Sequence, residues 1–301
     1  MTKQAGNRAR MRFHQPFFCE GLQNYTCRET ESPYNLFFSE FSTEALIDRS
    51  ENPFFLKCIP DGCVTMIFIQ NGQYRTIELL GTTFSAKQLI AYPGALYFCV
   101  RLPPGMLLPY LCISDKSLQT KDIAGTEMFL PRLNQNMECL AKDLFSAPAF
   151  EKRVQLFCEY LNSMNRESFM VKDNVAEIID LIYHSGGNVN IHELAKQICY
   201  SERQLSRLFS EALGYPPKLF ARIVRFQHIV GSILKNPREA QAAVSRFIED
   251  ANYSDQAHFQ REFKEFTTLT PREFMKLAEM KGYHARCESC GGRQHCMRPL
   301  A

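Results

Sequence analysis

Ile191-His-Glu-Leu-Ala-Lys-Gln-Ile-Cys-Tyr-Ser-Glu-Arg-Gln-Leu-Ser-Arg-Leu-Phe-Ser-Glu-Ala-Leu213 and Ala243-Val-Ser-Arg-Phe-Ile-Glu-Asp-Ala-Asn-Tyr-Ser-Asp-Gln-Ala-His-Phe-Gln-Arg-Glu-Phe-Lys-Glu-Phe266 follow one plan. Each has a short apolar helical stripe, a tight turn, and a helix with one polar face. In the first copy Ile191, Leu194, Ala195 and Ile198 recur at helical spacing and Cys199-Tyr200 makes the turn. Ser201-Glu-Arg-Gln204 has the spacing of a capping box, in which serine and glutamine satisfy each other's free backbone amides. Leu205, Leu208, Phe209 and Ala212 then face inward, which leaves Arg203, Ser206 and Arg207 on the outer face. In the second copy Val244, Phe247 and Ile248 lead to a turn at Ala251-Asn-Tyr253 and a cap at Ser254 or Asp255. Phe259, Phe263 and Phe266 point inward, with Gln256, His258, Gln260 and Arg261 on or near the outer face.

Between the copies, Gly214 stops one helix and Pro216-Pro217 suit the start of another, where a missing amide hydrogen costs nothing. Residues 218–234 read as a single helix with Ile223, Val230, Ile233 and Leu234 among its apolar positions, a ruler that sets the distance between the copies. Upstream, Val175, Ile178, Ile179 and Ile182 share a helical face that ends at His184-Ser-Gly-Gly187. Two units held apart by such a ruler have the reach to enter two successive major grooves of DNA.

Leu194-Ala195, Ser201-x-x-x-Leu205-x-Arg207-x-Phe209, Gly214-x-x-Pro217, Arg225, Tyr253-x-Asp255-x-x-His258-Phe259-x-Arg261-x-Phe263 and Thr270-Pro271 resemble the signature of AraC/XylS-type transcriptional regulators across about residues 172–277. The resemblance implies two helix-turn-helix units on a linker helix, double-stranded DNA and RNA polymerase as partners, and action on transcription, as an activator in the first instance with repression left open. It places DNA contacts at Arg203, Ser206 and Arg207 in the first unit and at Gln256, His258, Gln260 and Arg261 in the second. The chemistry agrees, since arginine grips guanine and glutamine grips adenine through paired hydrogen bonds in the major groove. The chain departs from the family at two turns that commonly hold glycine, where Cys199 and Asn252 stand instead. Asparagine accepts a left-handed backbone at little cost, whereas cysteine does so less readily, so the first turn is expected to be strained or reshaped.

The N-terminal part is β-rich. Cys63–Ile69, Tyr74–Leu80 and Ala95–Leu102 are runs of β-branched and aromatic residues bounded by Pro60-Asp-Gly62, Asn71-Gly72, Gly81, Pro93-Gly94 and Pro103-Pro-Gly105. Asn71-Gly72 reads as the two-residue turn of a hairpin. The spacing predicts a small barrel or sandwich, cupin-like, to about residue 131. Residues 132–163 then form two helices split at Pro148, with stripes at Met137, Leu140, Ala141, Leu144 and at Val154, Phe157, Cys158, Leu161 that either cover the barrel or make a homodimer seam. Pro60-Asp-Gly-Cys63 and Val100-Arg-Leu-Pro-Pro-Gly105 also resemble the sensor domain of a subgroup of the same regulators, which implies a small-molecule effector without naming it. Strand alternation favours an outward, solvated Arg101 over one that meets an acidic effector inside. Asp61 and Gly62 shape a turn, and Cys58, Cys63 and Cys99 read as small apolar core residues.

The expected architecture is therefore α+β: a sensor or dimerisation domain over 1–165, an all-α DNA-binding domain over 170–278, and a Cys/His-containing tail over 279–301. Residues 1–170 hold 17 Lys/Arg against 17 Asp/Glu and residues 171–301 hold 18 against 15, so the whole net charge of +3 lies in the C-terminal part. That surplus is too small to argue for nucleic acid by itself. No stretch approaches the roughly 18–20 apolar residues of a membrane span and the first residues lack an apolar signal core, so a cytoplasmic chain with reduced cysteines is expected, with no membrane partner. His14 is the only histidine before His184, which argues against a metal-dependent oxygenase on the same barrel. No nucleophile, base and orienting acid group together, so an enzyme is not expected. A second reading rests on the tail, where Cys287, Cys290 and Cys296 with His295 or His284 offer zinc a tetrahedral set, or Cys287 and Cys290 a redox pair. In that reading the protein is a zinc- or thiol-based sensor and DNA binding is secondary.

Overall fold

In the computed structural model of the protein the described residues are 13–16, 25–30, 35–43, 54–106, 112–113, 116–117, 120–129, 135–165, 170–235, 239, 242, 244–245, 248 and 256–280. The fold is α+β. Ten strands lead: β1 (Thr26–Glu29), β2 (Phe37–Ser42), β3 (Phe54–Cys58), β4 (Val64–Asn71), β5 (Tyr74–Leu80), β6 (Lys87–Ala91), β7 (Leu96–Leu102), β8 (Cys112–Ile113), β9 (Lys116–Ser117) and β10 (Glu127–Phe129). Six of them pair in the order β1-β2-β7-β4-β5-β10, antiparallel throughout, while β3 pairs with β6 and β8 with β9. The six-stranded sheet is open among the described residues, so of the barrel and the sandwich that the sequence allowed it is not a closed barrel. The separate β3–β6 pair packs over one of its faces.

The two faces of this sheet explain the unbroken apolar run of β4. Met66 and Phe68 join Phe38, Ile77, Leu79, Phe98 and Val100 in a core roofed by α1 (Gln135–Ser146) and α2 (Phe150–Asn162). Ile67 and Ile69 join Phe41, Tyr97 and Cys99 in a second core under Leu56 and Cys58 of β3 and Leu89 and Ala91 of β6. A central strand buried on both sides has no polar face to alternate with. The stripes of α1 and α2 lie on the sheet, so of the two uses open to them the structure shows the cover. Cys58, Cys63 and Cys99 are buried.

Two local readings need correction. The hairpin turn between β4 and β5 is Gly72-Gln73, one residue later than Asn71-Gly72, because Asn71 pairs with Tyr74 inside the ladder. Gly72 takes the positive φ of 56° that opens such a turn, and the Asn71 side chain donates instead to the Pro93 carbonyl at 3.1 Å. Arg101 is not solvated. It is 7% exposed, with its guanidinium 4.9 Å from the centre of the Phe37 ring and 3.4 Å from Asp61. Alternation along β7 is intact, but the face it assigns to Arg101 is covered by the segment leading out of β3.

The helices that follow are α3 (Asp173–His184), α4 (Ile191–Gln197), α5 (Glu202–Leu213), α6 (Pro217–Lys235), α7 (Gln256–Thr267) and α8 (Pro271–Met280). Between α6 and α7, Ala242, Val244, Ser245 and Ile248 are helical, and Val244 is buried. None of the described helices is long and apolar enough to cross a membrane.

Candidate nucleic-acid interface

The first unit is α4, its turn and α5. Asn190 caps α4, accepting from the amides of His192 at 2.8 Å and Glu193 at 3.3 Å. The helix closes with Tyr200 N–H donating to Ala195 O at 2.9 Å and Cys199 N–H to Lys196 O at 3.1 Å, the paired bonds that need a left-handed residue at the bend. Cys199 supplies it at φ 58°. The turn is thus kept and strained, not reshaped. Ser201 then opens α5 with the expected box: its hydroxyl accepts from Gln204 N–H at 3.3 Å, and Gln204 Oε1 accepts from Ser201 N–H at 2.9 Å.

Leu205, Phe209 and Leu213 bury one side of α5 against Ile178, Ile179 and Ile182 of α3, while Leu208 and Ala212 are only half-buried. On the other side Arg203 and Arg207 are exposed and Ser206 is half-buried. Arg207 pairs with Glu211 one turn on, at 3.3 Å. Such an exposed pair is worth a few tenths of a kcal/mol and yields readily to a better acceptor.

In the second unit Phe259, Phe263 and Phe266 of α7 pack with Phe226 and Phe274, and Gln256, Gln260 and Arg261 are exposed with His258 half-buried. One inward residue was not legible as such. Glu262 is buried in α7, with Oε2 2.7 Å from Arg222 Nε and Oε1 3.6 Å from Arg225 on α6. Arg222 also meets Glu265 at 2.9 Å and lies over the Phe266 ring. The signal was there in part: glutamate at 262 follows the inward Phe259 at helical spacing, and two arginines sit one turn apart on the ruler. The preceding turn, with Asn252, Ser254 and Asp255, lies outside the described residues. Thr270 and Glu273 cap α8 reciprocally, and these two donations hold the Glu273 carboxyl below its usual pKa.

Helix α6 joins the units. Its 19 residues span about 28 Å. Phe220, Ala221 and Val224 enter the core of the first unit, and Ile223, Phe226, Ile229, Val230, Ile233 and Leu234 that of the second. The sheet domain also grips this helix. Gln227 Nε2 donates to Pro60 O at 2.7 Å and its Oε1 accepts from His14 N–H at 2.6 Å, while Phe220 lies against Gly62 and Phe84 packs edge-on to Tyr215.

A helix-turn-helix domain family matches residues 194–277. The chain carries an AraC-type helix-turn-helix domain. An uncharacterised helix-turn-helix-type transcriptional regulator of Staphylococcus aureus (strain MSSA476) is 26% identical over 111 residues, 36% of this chain and 14% of that protein. The arabinose operon regulatory protein of Escherichia coli (strain K12) is 27% identical over 149 residues, 50% of this chain and 42% of that protein. These matches span less than half the length of either relative. Unsaturated fatty acid-bound ToxT from Vibrio cholerae strain SCE256 aligns with a TM-score of 0.39 at 11% identity, over 82% of this chain and 96% of that one. ToxT from Vibrio cholerae O395 aligns with 0.40 at 12%, over 82% and 99%.

The matched residues 194–277 include every described residue that the resemblance links to DNA. Cys287, Cys290, His295, Cys296 and His284 lie outside the described residues. Among the described residues no group of three or more His, Cys, Asp or Glu side chains is arranged to hold a metal ion.

Proposed function

We propose that this protein is a cytoplasmic, sequence-specific DNA-binding transcriptional regulator whose α5 and α7 enter two adjacent major-groove segments of one site. The observation that carries the reading is the sidedness of both helices. Each is locked by an apolar core on one side, leaving Arg203, Ser206 and Arg207 on α5, and Gln256, Gln260 and Arg261 on α7, on the other. His258 sits at the margin of the second set. The 28 Å ruler is of the order of one turn of B-DNA, about 34 Å, which supports docking on one side of the duplex. Phosphates would be met by helix N-termini and neighbouring cations, which position the protein without specifying sequence. In this reading the sheet domain senses a small molecule or holds a homodimer, and RNA polymerase is the downstream partner.

The test is selection of bound duplexes from a random pool by the full chain. Two enriched blocks about one helical turn apart are expected. Enrichment of a single block, or of none, overturns the two-reader arrangement.

A further inference from the structure

We propose that Arg101 is the receptor for a small planar oxyanion, a carboxylate in the first instance, and that Asp61 is its internal stand-in. Arg101 leaves β7 on the face covered by the segment after β3, in register with Thr65 on β4 and Phe37 on β2. A guanidinium so deeply buried requires an anion and a full set of hydrogen bonds, because unpaired buried charge is costly. Asp61 supplies the charge and not the bond to Nε. Its Oδ2 stands 3.4 Å from Arg101 Nε, yet that nitrogen makes no hydrogen bond.

The reason is that Asp61 is occupied elsewhere. Its Oδ1 accepts from Cys63 N–H at 2.9 Å, and its Oδ2 accepts from Gln15 Nε2 at 2.8 Å. Both bonds hold the loop in shape and turn the carboxylate away from the two-pronged approach that a guanidinium prefers. Two cavities of about 20 and 10 Å³ flank the same guanidinium. The outer one is bounded by Thr30, Asn35 and Phe37, with Glu29 the acidic residue on its wall, and the inner one by Thr65, Thr83 and Asp61. Each is of the size that holds about one water. A planar anion of three or four heavy atoms therefore fits only by taking the space of the Asp61 carboxylate as well, and there is no place for a sugar. Glu29 and Asp61 both oppose a second negative charge, so the anion must take the place of Asp61 at Arg101.

The displaced carboxylate belongs to the loop that touches α6 through Pro60 and Gly62. Occupation of the site therefore acts on the contact between the sheet domain and the ruler.

The experiment is thermal unfolding of the full chain against sodium acetate at constant ionic strength, with chloride as the balancing anion, acetamide as the neutral isostere and nitrate as an inorganic planar anion. Acetate is expected to raise Tm beyond chloride, and acetamide to leave it unchanged. Asp61→Asn, which removes the competing charge and keeps the acceptor for Cys63 N–H while giving up the one for Gln15 Nε2, should bind acetate about threefold more tightly. Arg101→Lys, which keeps the charge and loses the fork, should bind it about tenfold more weakly. A response to nitrate as strong as that to acetate assigns the site to inorganic oxyanions as well as carboxylates. Equal response to acetate and chloride in both the wild type and Asp61→Asn overturns the proposal, as does undiminished acetate binding by Arg101→Lys. No DNA is involved, so the outcome is independent of the reading of α5 and α7.

Discussion

The first helix unit, α4 and α5, and the second, built on α7, are held in place by different contacts. The first leans on the sheet domain: Phe84 packs on Tyr215, the backbone at Lys121 and the Ala124 side chain crowd Gly214, and Phe220 fills the space beside Gly62. The second meets the sheet domain more lightly, through Ile59 in its core and Lys57 donating to Thr268, and adds to the packing of Phe263 and Phe266 on Phe226 a buried Glu262 between two arginines. Apolar packing is indifferent to salt and tied to the neighbouring domain, whereas a carboxylate between guanidiniums is directional and local. The first unit thus inherits the state of the sheet domain, and the second follows α6.

The strongest challenge to this contrast is Glu262→Ala. It leaves Arg222 and Arg225 without their buried partner and should cost about 3 kcal/mol, with amide-exchange protection lost in α7 and α8 while α5 keeps its own. Equal loss in α5 would make the two units one cooperative body.

Next in size are the residues proposed to contact DNA. Arg207→Ala and Arg261→Ala should each cost about 1–3 kcal/mol on the preferred duplex and relax base preference in one block only, a different block for each. Uniform weakening on all sequences would recast the arginine concerned as a phosphate contact.

Cys199→Gly probes the first turn. Relief of the left-handed strain at φ 58° outweighs the added freedom of the unfolded chain, so stability should rise by about 0.5–1 kcal/mol in thermal unfolding, while Cys199→Val should lower it. A loss of stability in the glycine variant would show that the thiol packs to advantage there.

The smallest effect is one of pH. Burial, reinforced by the charge on Glu127, pushes the Glu78 carboxyl up to about 7. A carboxyl raised on folding favours the folded state while protonated, so its contribution is full below about pH 4.5 and is lost as pH rises through 7. Relative to Glu78→Gln, the wild type should lose stability between pH 5 and 8, with protection falling in α5 before α7. Parallel pH profiles for the two proteins, or earlier loss in α7, would remove the link between the sheet and the first reader.

Much of the reading domain was legible because its determinants are local. Ser201 and Gln204 lie within one turn, Gly214 needs only its own backbone freedom, and the inward aromatics repeat with the helical period. Glu262 was not, since a glutamate in a helix normally points to water and only the approach of Arg222 and Arg225 from another helix makes its burial tolerable. In the sheet domain β4, β5 and β7 were read close to their ends, whereas β1, β2, β3, β6 and β10 escaped. Their residues alternate weakly, and their pairing is fixed by partners up to about 60 residues away.

What this chain determined by sequence alone is the capped α5, the one-sided α7 and the helix between them, because capping, turn chemistry and helical periodicity act over a few residues. Tertiary structure decided the rest: that the sheet stays open under β3 and β6, that Arg101 is enclosed with Asp61, and that α6 is gripped from the side by the loop at residues 59–63. Each depends on groups distant in sequence meeting in a space from which water is excluded, and no local rule carries that information.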